Sequence, residues 1–302
     1  MANTIKDQQE ILEKLNIYQL NDMQEEALSV IKNSINTIIL SPTGTGKTLA
    51  FLLPILERLD PTCEEVQALI LVPSRELAIQ IEQVIRNMGT GYKVNAVYGG
   101  RAMSKDKIEL KHTPAILIGT PGRMSDHFVQ ERFSTEHIKT LVLDEFDKSL
   151  EVGFEEEMKE IIIELNNLDR RILTSATQGV KIPNFVKFQN STVINYLNKE
   201  ASKLAIKTVI SPSGKRLKTL LDVVEHEGNE PGIIFCNLKD SIQEVSNFLS
   251  RNHISHGCFH GGMEQKDRER SLIKFRNGTF NVLLATDLAA RGIDIPEIKY
   301  II

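Results

Sequence analysis

The tightest constraint on the fold is eight residues long. Ser41-Pro42-Thr43-Gly44-Thr45-Gly46-Lys47-Thr48 follows the apolar run Thr37-Ile38-Ile39-Leu40 and opens a helical stretch over Leu49–Leu59. A loop held between a buried strand and a helix start offers converging N–H groups, a helix N-terminus and a cation, and a polyphosphate needs all three. Gly44 and Gly46 allow backbone conformations that a side chain forbids. Lys47 is placed to reach the β and γ phosphates, and the Thr48 hydroxyl to ligate Mg²⁺. Ser41 stands where the generic phosphate-loop pattern has its first glycine, and Leu49 stands where a dinucleotide fingerprint needs its third. The competing reading is a glycine-containing turn before a helix.

The loop sits in a chain that alternates short apolar runs with helical periods. Strands are expected over Asn36–Leu40, Gln67–Val72, Lys93–Tyr98, Ala115–Ile118, Ile138–Leu143 and Ile172–Ser175. Between them lie helices such as Ser74–Met88, whose Leu77, Ile81, Val84 and Ile85 share one face, with Ser74 as N-cap and Gly89 as stop. The rhythm falters near Asn198–Lys203 and then restarts with strand Gly232–Cys236, helix Lys239–Arg251, strand Ser255–Phe259, helix Glu264–Phe275 and strand Phe280–Ala285. The fold class is therefore α/β with mostly parallel sheets, in two domains, 1–200 and 201–302.

A carboxylate partner for the loop follows the apolar strand Leu141-Val142-Leu143, in the run Asp144-Glu145-Phe146-Asp147. Carboxyl ends of parallel strands gather at one edge, which brings Asp144 beside the phosphate loop. Asp144 is expected to hold Mg²⁺ through water, and Glu145 to orient and deprotonate the attacking water. The catalytic candidates are thus Lys47, Asp144 and Glu145. The further acids from Glu151 onward read as a solvated helix face.

With these residues in place the chain resembles the DEAD-box ATP-dependent RNA helicases of the second helicase superfamily, over nearly its whole length. The motifs run in the family's order. Val72-Pro73-Ser74-Arg75-Glu76-Leu77-Ala78 is similar to its first RNA-contacting motif. Gly99-Gly100 and Thr120-Pro121-Gly122-Arg123 are similar to its RNA-backbone motifs, and Ser175-Ala176-Thr177 to the element that couples hydrolysis to strand separation. In the second half, Gly232–Asn237, His260-Gly261-Gly262-Met263 with Gln265 and Arg268, and Thr286–Asp294 match further motifs.

The resemblance implies two tandem RecA-like domains that bind Mg-ATP and RNA and couple hydrolysis to local duplex unwinding. It implies RNA contacts at Pro73, Arg75, Gly99, Gly100, Thr120, Pro121, Gly122, Arg123, Gln265, Arg268, Thr286 and Arg291. It implies nucleotide contacts at Gln24, Gly292 and Asp294 besides the loop, and coupling through Asp147, Ser175 and Thr177. Backbone amides at Gly99-Gly100 and at the helix start near Gly122 suit sequence-blind phosphate contacts, with Arg75 and Arg123 adding charge. The partners that the resemblance implies are RNA, bound largely without sequence preference, and ribonucleoprotein or ribosome-assembly proteins. An ATP-gated RNA clamp with little unwinding is the alternative.

Four departures modify the expectation. Phe146 replaces the alanine of the name-giving motif, so a benzyl group must find room behind the site, against Ser175-Ala176-Thr177 for example. The adenine-reading segment, residues 16–24, keeps Gln24 but has Ile17 and Leu20 where an aromatic and a proline are usual, so selectivity for ATP over GTP is expected to be weaker. Ser74 stands for threonine and keeps the hydroxyl. The family's last motif, which supplies arginine fingers, has no counterpart before Ile302; the second domain is expected to be incomplete and hydrolysis by this chain alone impaired.

Composition adds exclusions. The chain has 302 residues, 41% hydrophobic and 25% charged, with net charge −4, which describes a globular protein with no global basic field. No apolar run is long enough to span a bilayer, and Lys6, Asp7 and Glu10 interrupt any N-terminal signal core, so a cytoplasmic location is expected. Three cysteines in no paired spacing fit a reducing compartment. His256, Cys258 and His260 would share a strand face, but no second cluster completes a zinc site, so no metal besides Mg²⁺ is expected.

Overall fold

The computed structural model describes residues 7–179, 181–197, 205–286 and 298–302. The chain divides into two compact units, Met1–Ala201 and Ser202–Ile302.

The first unit runs α1 (Gln8–Lys14), α2 (Asp22–Asn33), β1 (Asn36–Leu40), α3 (Lys47–Leu56), β2 (Ala68–Leu71), α4 (Arg75–Met88), β3 (Val94–Val97), α5 (Met103–Glu109), β4 (Ile116–Gly119) and α6 (Pro121–Val129). It continues through β5 (Thr140–Leu143), α7 (Phe146–Val152), α8 (Glu155–Glu164), β6 (Arg170–Ser175) and β7 (Thr192–Asn195). The strands form one seven-stranded sheet of order β3-β4-β2-β5-β6-β1-β7, parallel throughout.

Successive side chains of a strand point to opposite faces, and here both faces are covered. Ala68 and Ile70 of β2 join Ile39, Ile118 and Val142 in a core beneath α2, α3 and α4. Leu69 and Leu71 join Leu117, Leu141, Leu143 and Leu173 beneath α6, α7 and α8. Such two-sided burial explains why the strands read as unbroken apolar runs. Phe146 is fully buried in the second of these cores, so the benzyl group is absorbed by packing with the strands and α8.

Local signals set the helix ends. Ser74 caps α4 by accepting from Leu77 N at 3.2 Å, and Gly89 ends it at φ +60°. The edge strand β7 gave no clear sequence signal, because only Ile194 of its four residues is buried.

The second unit contains α9 (Arg216–Glu227), β8 (Gly232–Phe235), α10 (Lys239–Arg251), β9 (His256–Phe259), α11 (Gln265–Arg276), β10 (Val282–Ala285) and β11 (Tyr300–Ile301). Its described strands form a parallel sheet of order β11-β8-β10-β9. Cores of Val224, Ile234, Ile242, Leu249 and Leu284 on one face, and of Ile233, Phe259, Phe275 and Leu283 on the other, repeat the two-sided plan.

Candidate nucleotide and nucleic-acid site

Three adjacent strands, β5, β6 and β1, end at the same edge of the first sheet, and the residues that follow them make the site. β6 joins its two neighbours. The Ser41 amide, at the start of the phosphate loop, donates to Ser175 O at 3.1 Å, while the Thr174 hydroxyl donates to Asp144 Oδ1. Thr174 Oγ1 also accepts from the Glu145 amide at 3.1 Å. Sequence reading missed Thr174, although it directly precedes Ser175-Ala176-Thr177 in a strand that ends at the site.

Inside the phosphate loop, Lys47 is buried, and its amine donates to Ser41 O at 2.7 Å and Pro42 O at 2.8 Å. Ser41 Oγ and Thr45 Oγ1 lie 2.7 Å apart, and Thr45 Oγ1 donates to Pro42 O at 2.9 Å. Thr43 and Gly44 are exposed, and Thr48 is partly so in the first turn of α3. Gly46 sits at φ +86° as the N-cap of α3, and a Cβ there would collide with the Gln24 carboxamide. Glycine is therefore required twice over, by conformation and by contact.

Gln24 is held by a capping box. Its amide accepts from the Asn21 backbone at 3.0 Å, Asn21 Oδ1 accepts from the Gln24 backbone at 3.0 Å, and Gln24 Nε2 donates to Gly46 O at 3.2 Å. Asn21 Nδ2 adds a 3.0 Å bond to Thr45 O. The expected adenine reader is thus also a strut of the phosphate loop. Asn21 was missed, although Asn-x-x-Gln ahead of a helix is a cap signature.

The carboxylates are strongly perturbed. Asp144 is buried, and desolvation pushes its carboxyl up against the opposing pull of Thr174 and Lys47. Desolvation, with Asp144 next to it, pushes Glu145 up to about 7. Burial lowers Lys47, while Asp144, Glu145 and Asp147 pull it back. Glu145 adopts φ +46°, ψ 50°, a left-handed conformation unusual outside glycine, at the turn from β5 into α7. Asp147 Oδ2 accepts from Thr177 Oγ1 at 2.9 Å, and Ser175 Oγ accepts from the Thr177 amide at 3.0 Å, so the three expected coupling residues do meet.

The residues expected to meet RNA in this unit fall into two groups. Arg75 packs against Gly99 and Gly100, and Gly100, at φ +86°, has no room for a Cβ beside the guanidinium. Pro73 precedes the Ser74 cap. Thr120, Pro121 and Gly122 form the start of α6, with open space around Gly122 and no side-chain cap bond from Thr120.

Arg123, the other expected charge, is held by partners within the protein. Its guanidinium pairs with buried Asp106 at 2.6 Å and donates to Arg101 O at 2.8 Å. Asp106 also takes Arg101 at 2.5 Å and His127 at 3.0 Å, so α5 supplies the acid that neutralises this arginine.

In the second unit, Gln265 Nε2 donates to Glu269 at 3.1 Å, and the Arg268 guanidinium lies over the Phe259 ring at 4.7 Å. Burial, Lys239 and Arg268 together lower His260, which marks a local basic cluster, and Gly262 packs against the Lys239 amine. Thr286 follows β10 and donates its amide to Phe259 O at 3.3 Å. Arg291, Gly292 and Asp294 lie outside the described residues.

Residues 21–185 match the DEAD/DEAH box helicase family, and residues 215–302 match the helicase conserved C-terminal domain. The ATP-dependent RNA helicase eIF4A of Mycosarcoma maydis is 33% identical over 287 residues, covering 93% of this chain and 70% of the relative. The DEAD-box ATP-dependent RNA helicase CshB of Bacillus subtilis is 31% identical over 298 residues, covering 96% of this chain and 68% of the relative. The solved structure of S. cerevisiae Dbp5 bound to RNA and ADP BeF3 superposes with a TM-score of 0.82 at 27% identity, covering 97% of this chain and 77% of that one.

Proposed function

The chain belongs to the DEAD/DEAH box helicase family, and from its site we propose how its residues divide the work. It is an ATP-dependent RNA helicase, an RNA-dependent ATPase that couples nucleotide turnover to duplex unwinding. The observation that carries the residue assignment is the joining of Ser41, Asp144 and Glu145 through Thr174 and Ser175 of one strand, β6.

The loop amides and Lys47 bind the phosphates, after Lys47 exchanges its two carbonyl partners for phosphate oxygens. The donor set suits Mg²⁺: a desolvated carboxylate at Asp144 and a hydroxyl at Thr48 are hard oxygen ligands. Asp144 Oδ1 takes both protein bonds, which leaves Oδ2 as the oxygen that would be offered to the cation. When bound, the metal neutralises charge on the phosphates.

Glu145, desolvated and poised near neutrality, takes the proton of the attacking water. Asp147, Thr177 and Ser175 pass the state of the acidic turn to the end of β6. Arg75 with Gly99-Gly100, the start of α6, and Gln265, Arg268 and Thr286 hold the RNA backbone. Residues 1–200 and 201–302 are assigned to the ATP-binding and C-terminal helicase domains. No described helix is long and apolar enough to cross a membrane. RNA as the partner fits relatives such as the ATP-dependent RNA helicase FAL1 of Eremothecium gossypii, and a cytoplasmic location with ribonucleoprotein partners is part of the proposal.

Phe146, which departs from the name-giving motif, is absorbed in the core with Asp144 and Asp147 still in their hydrogen bonds, which favours the helicase over the clamp alternative. ATPase rates with RNA, with DNA and with neither, beside a short-duplex unwinding assay, test the assignment. RNA stimulation with unwinding is expected; stimulation without unwinding would select the clamp. Glu145→Gln should nearly abolish turnover while ATP still binds, and turnover that persists removes Glu145 as the base.

A further inference from the structure

We infer that Tyr196 forms the wall of the nucleobase subsite, supplying the aromatic face that residues 1–17 of this chain lack; this rests on the nucleotide reading of the phosphate loop. A cavity of about 580 Å³ lies beside that loop, lined by Asn21, Asp22 and Met23 at the start of α2, by Ser41 and Thr45, and by Tyr196. The opening belongs to the phosphate site, since two of its walls are the capping box and the loop that the box braces.

Tyr196 is fixed to that loop by the backbone. Asn195 pairs with Leu40 in the β7–β1 register, and the Tyr196 amide donates to Leu40 O at 2.7 Å, one residue before Ser41. The ring is partly buried against the core, and its hydroxyl donates to Glu26 Oε2 at 2.8 Å, on the next turn of α2. That bond pushes the phenol up to about 12, so it stays a neutral donor. Both ends of the side chain are therefore held, which leaves little rotamer freedom to lose when a base docks.

The other aromatic in reach of the adenine-reading segment points elsewhere. Tyr18 is fully exposed and lines a separate cavity with Gln8, Leu12 and Asn16. Ile17 and Leu20 pack into the core of the first unit. An aromatic face accepts any base, because every base has a π-face. Tyr196 thus contributes affinity for the base without choosing between bases.

Titration calorimetry of the full chain with ATP, GTP and inorganic tripolyphosphate tests this. Tyr196→Ala should weaken ATP and GTP alike, by about tenfold, and leave tripolyphosphate unchanged. Tyr196→Phe should restore most of the lost nucleotide affinity. Equal losses for tripolyphosphate would reveal a merely structural role and overturn the inference, as would unchanged ATP binding or a loss confined to one base. A wild-type chain that binds neither ATP nor tripolyphosphate overturns the phosphate site itself, and the base wall with it.

Discussion

Thr177 Oγ1 donates a 2.9 Å hydrogen bond to Asp147 Oδ2, tying the end of β6 to the first turn of α7. Asp147 is buried, and among the described residues its other carboxylate oxygen has no partner. Thr177→Val therefore leaves a buried carboxylate short of its one side-chain donor, a loss of about 1–3 kcal/mol. The melting temperature should fall by several degrees. If the bond also carries coupling, unwinding per ATP hydrolysed should fall further than the ATPase rate. Unchanged coupling with the same loss of stability would leave the bond a structural one.

Glu145 sets a pH dependence in both rate and stability. As a base it must be ionised, so kcat/KM should rise with pH and reach half its plateau near 7. Stability moves the other way. Unfolded, the side chain loses its proton at the ordinary glutamate value; folded, it keeps it until about 7. The folded state binds more protons between the two, and stability falls as pH rises through that window. Glu145→Gln should reduce the slope, leaving the part that Asp144 contributes, and should gain up to about 3 kcal/mol at pH 8, measured by urea unfolding without nucleotide or metal. A variant with the wild-type slope assigns the titration elsewhere.

The loop, the acidic turn and most strands were legible because each is local: an apolar run followed by a fixed polar string. The α4 cap at Ser74 and stop at Gly89 were legible for the same reason. Thr174, Asp106 and Tyr196 were not, since their roles come from pairing across the fold. Asp106 lies on α5 and meets Arg123 of α6 only because β3 and β4 are neighbours in the sheet. Tyr196 follows an edge strand too short and too exposed to be recognised, and its place beside the phosphate loop is a matter of register with β1.

Gly100 is predicted to be the point at which the Arg75 contact is most easily broken. Its φ of +86° disfavours any side chain, and a Cβ would strike the guanidinium. Gly100→Ala should displace Arg75, weaken RNA binding and lower the salt dependence of binding by about one counterion. Tripolyphosphate binding should be unchanged. RNA titrations from low to high salt give the slope, and an unaltered slope would show that Arg75 does not face phosphate.

Asp106 carries three partners, Arg101, Arg123 and His127, with no exposure of its own. Burial opposes its ionisation, but the bonds from His127, Arg123 and Arg101 outweigh it and hold the carboxyl below the usual range. A carboxyl lowered on folding stabilises above its unfolded value and loses that contribution as pH falls through its folded one. Asp106→Asn should remove this acid sensitivity and cost several kcal/mol, because two half-buried guanidinium groups lose their counter-charge. Thermal unfolding across acid pH measures both. An acid limb that survives the substitution moves the titration to another carboxylate.

Gln24 joins nucleotide choice to the resting phosphate loop. Its carboxamide gives one lone pair to the Asn21 amide and one N–H to Gly46 O, so its second lone pair and second N–H are what remain for an adenine edge. The strut bonds fix the direction of those two groups, so the base must come to them, and a misaligned hydrogen bond adds little net free energy. Selectivity for ATP over GTP should accordingly be modest, within about tenfold in kcat/KM. Gln24→Glu keeps the acceptor for Asn21 but cannot donate to Gly46 O; it should loosen the loop and weaken both nucleotides together. Strict ATP use by the wild-type chain, lost in Gln24→Glu, would instead show that the carboxamide is well aligned to read the base.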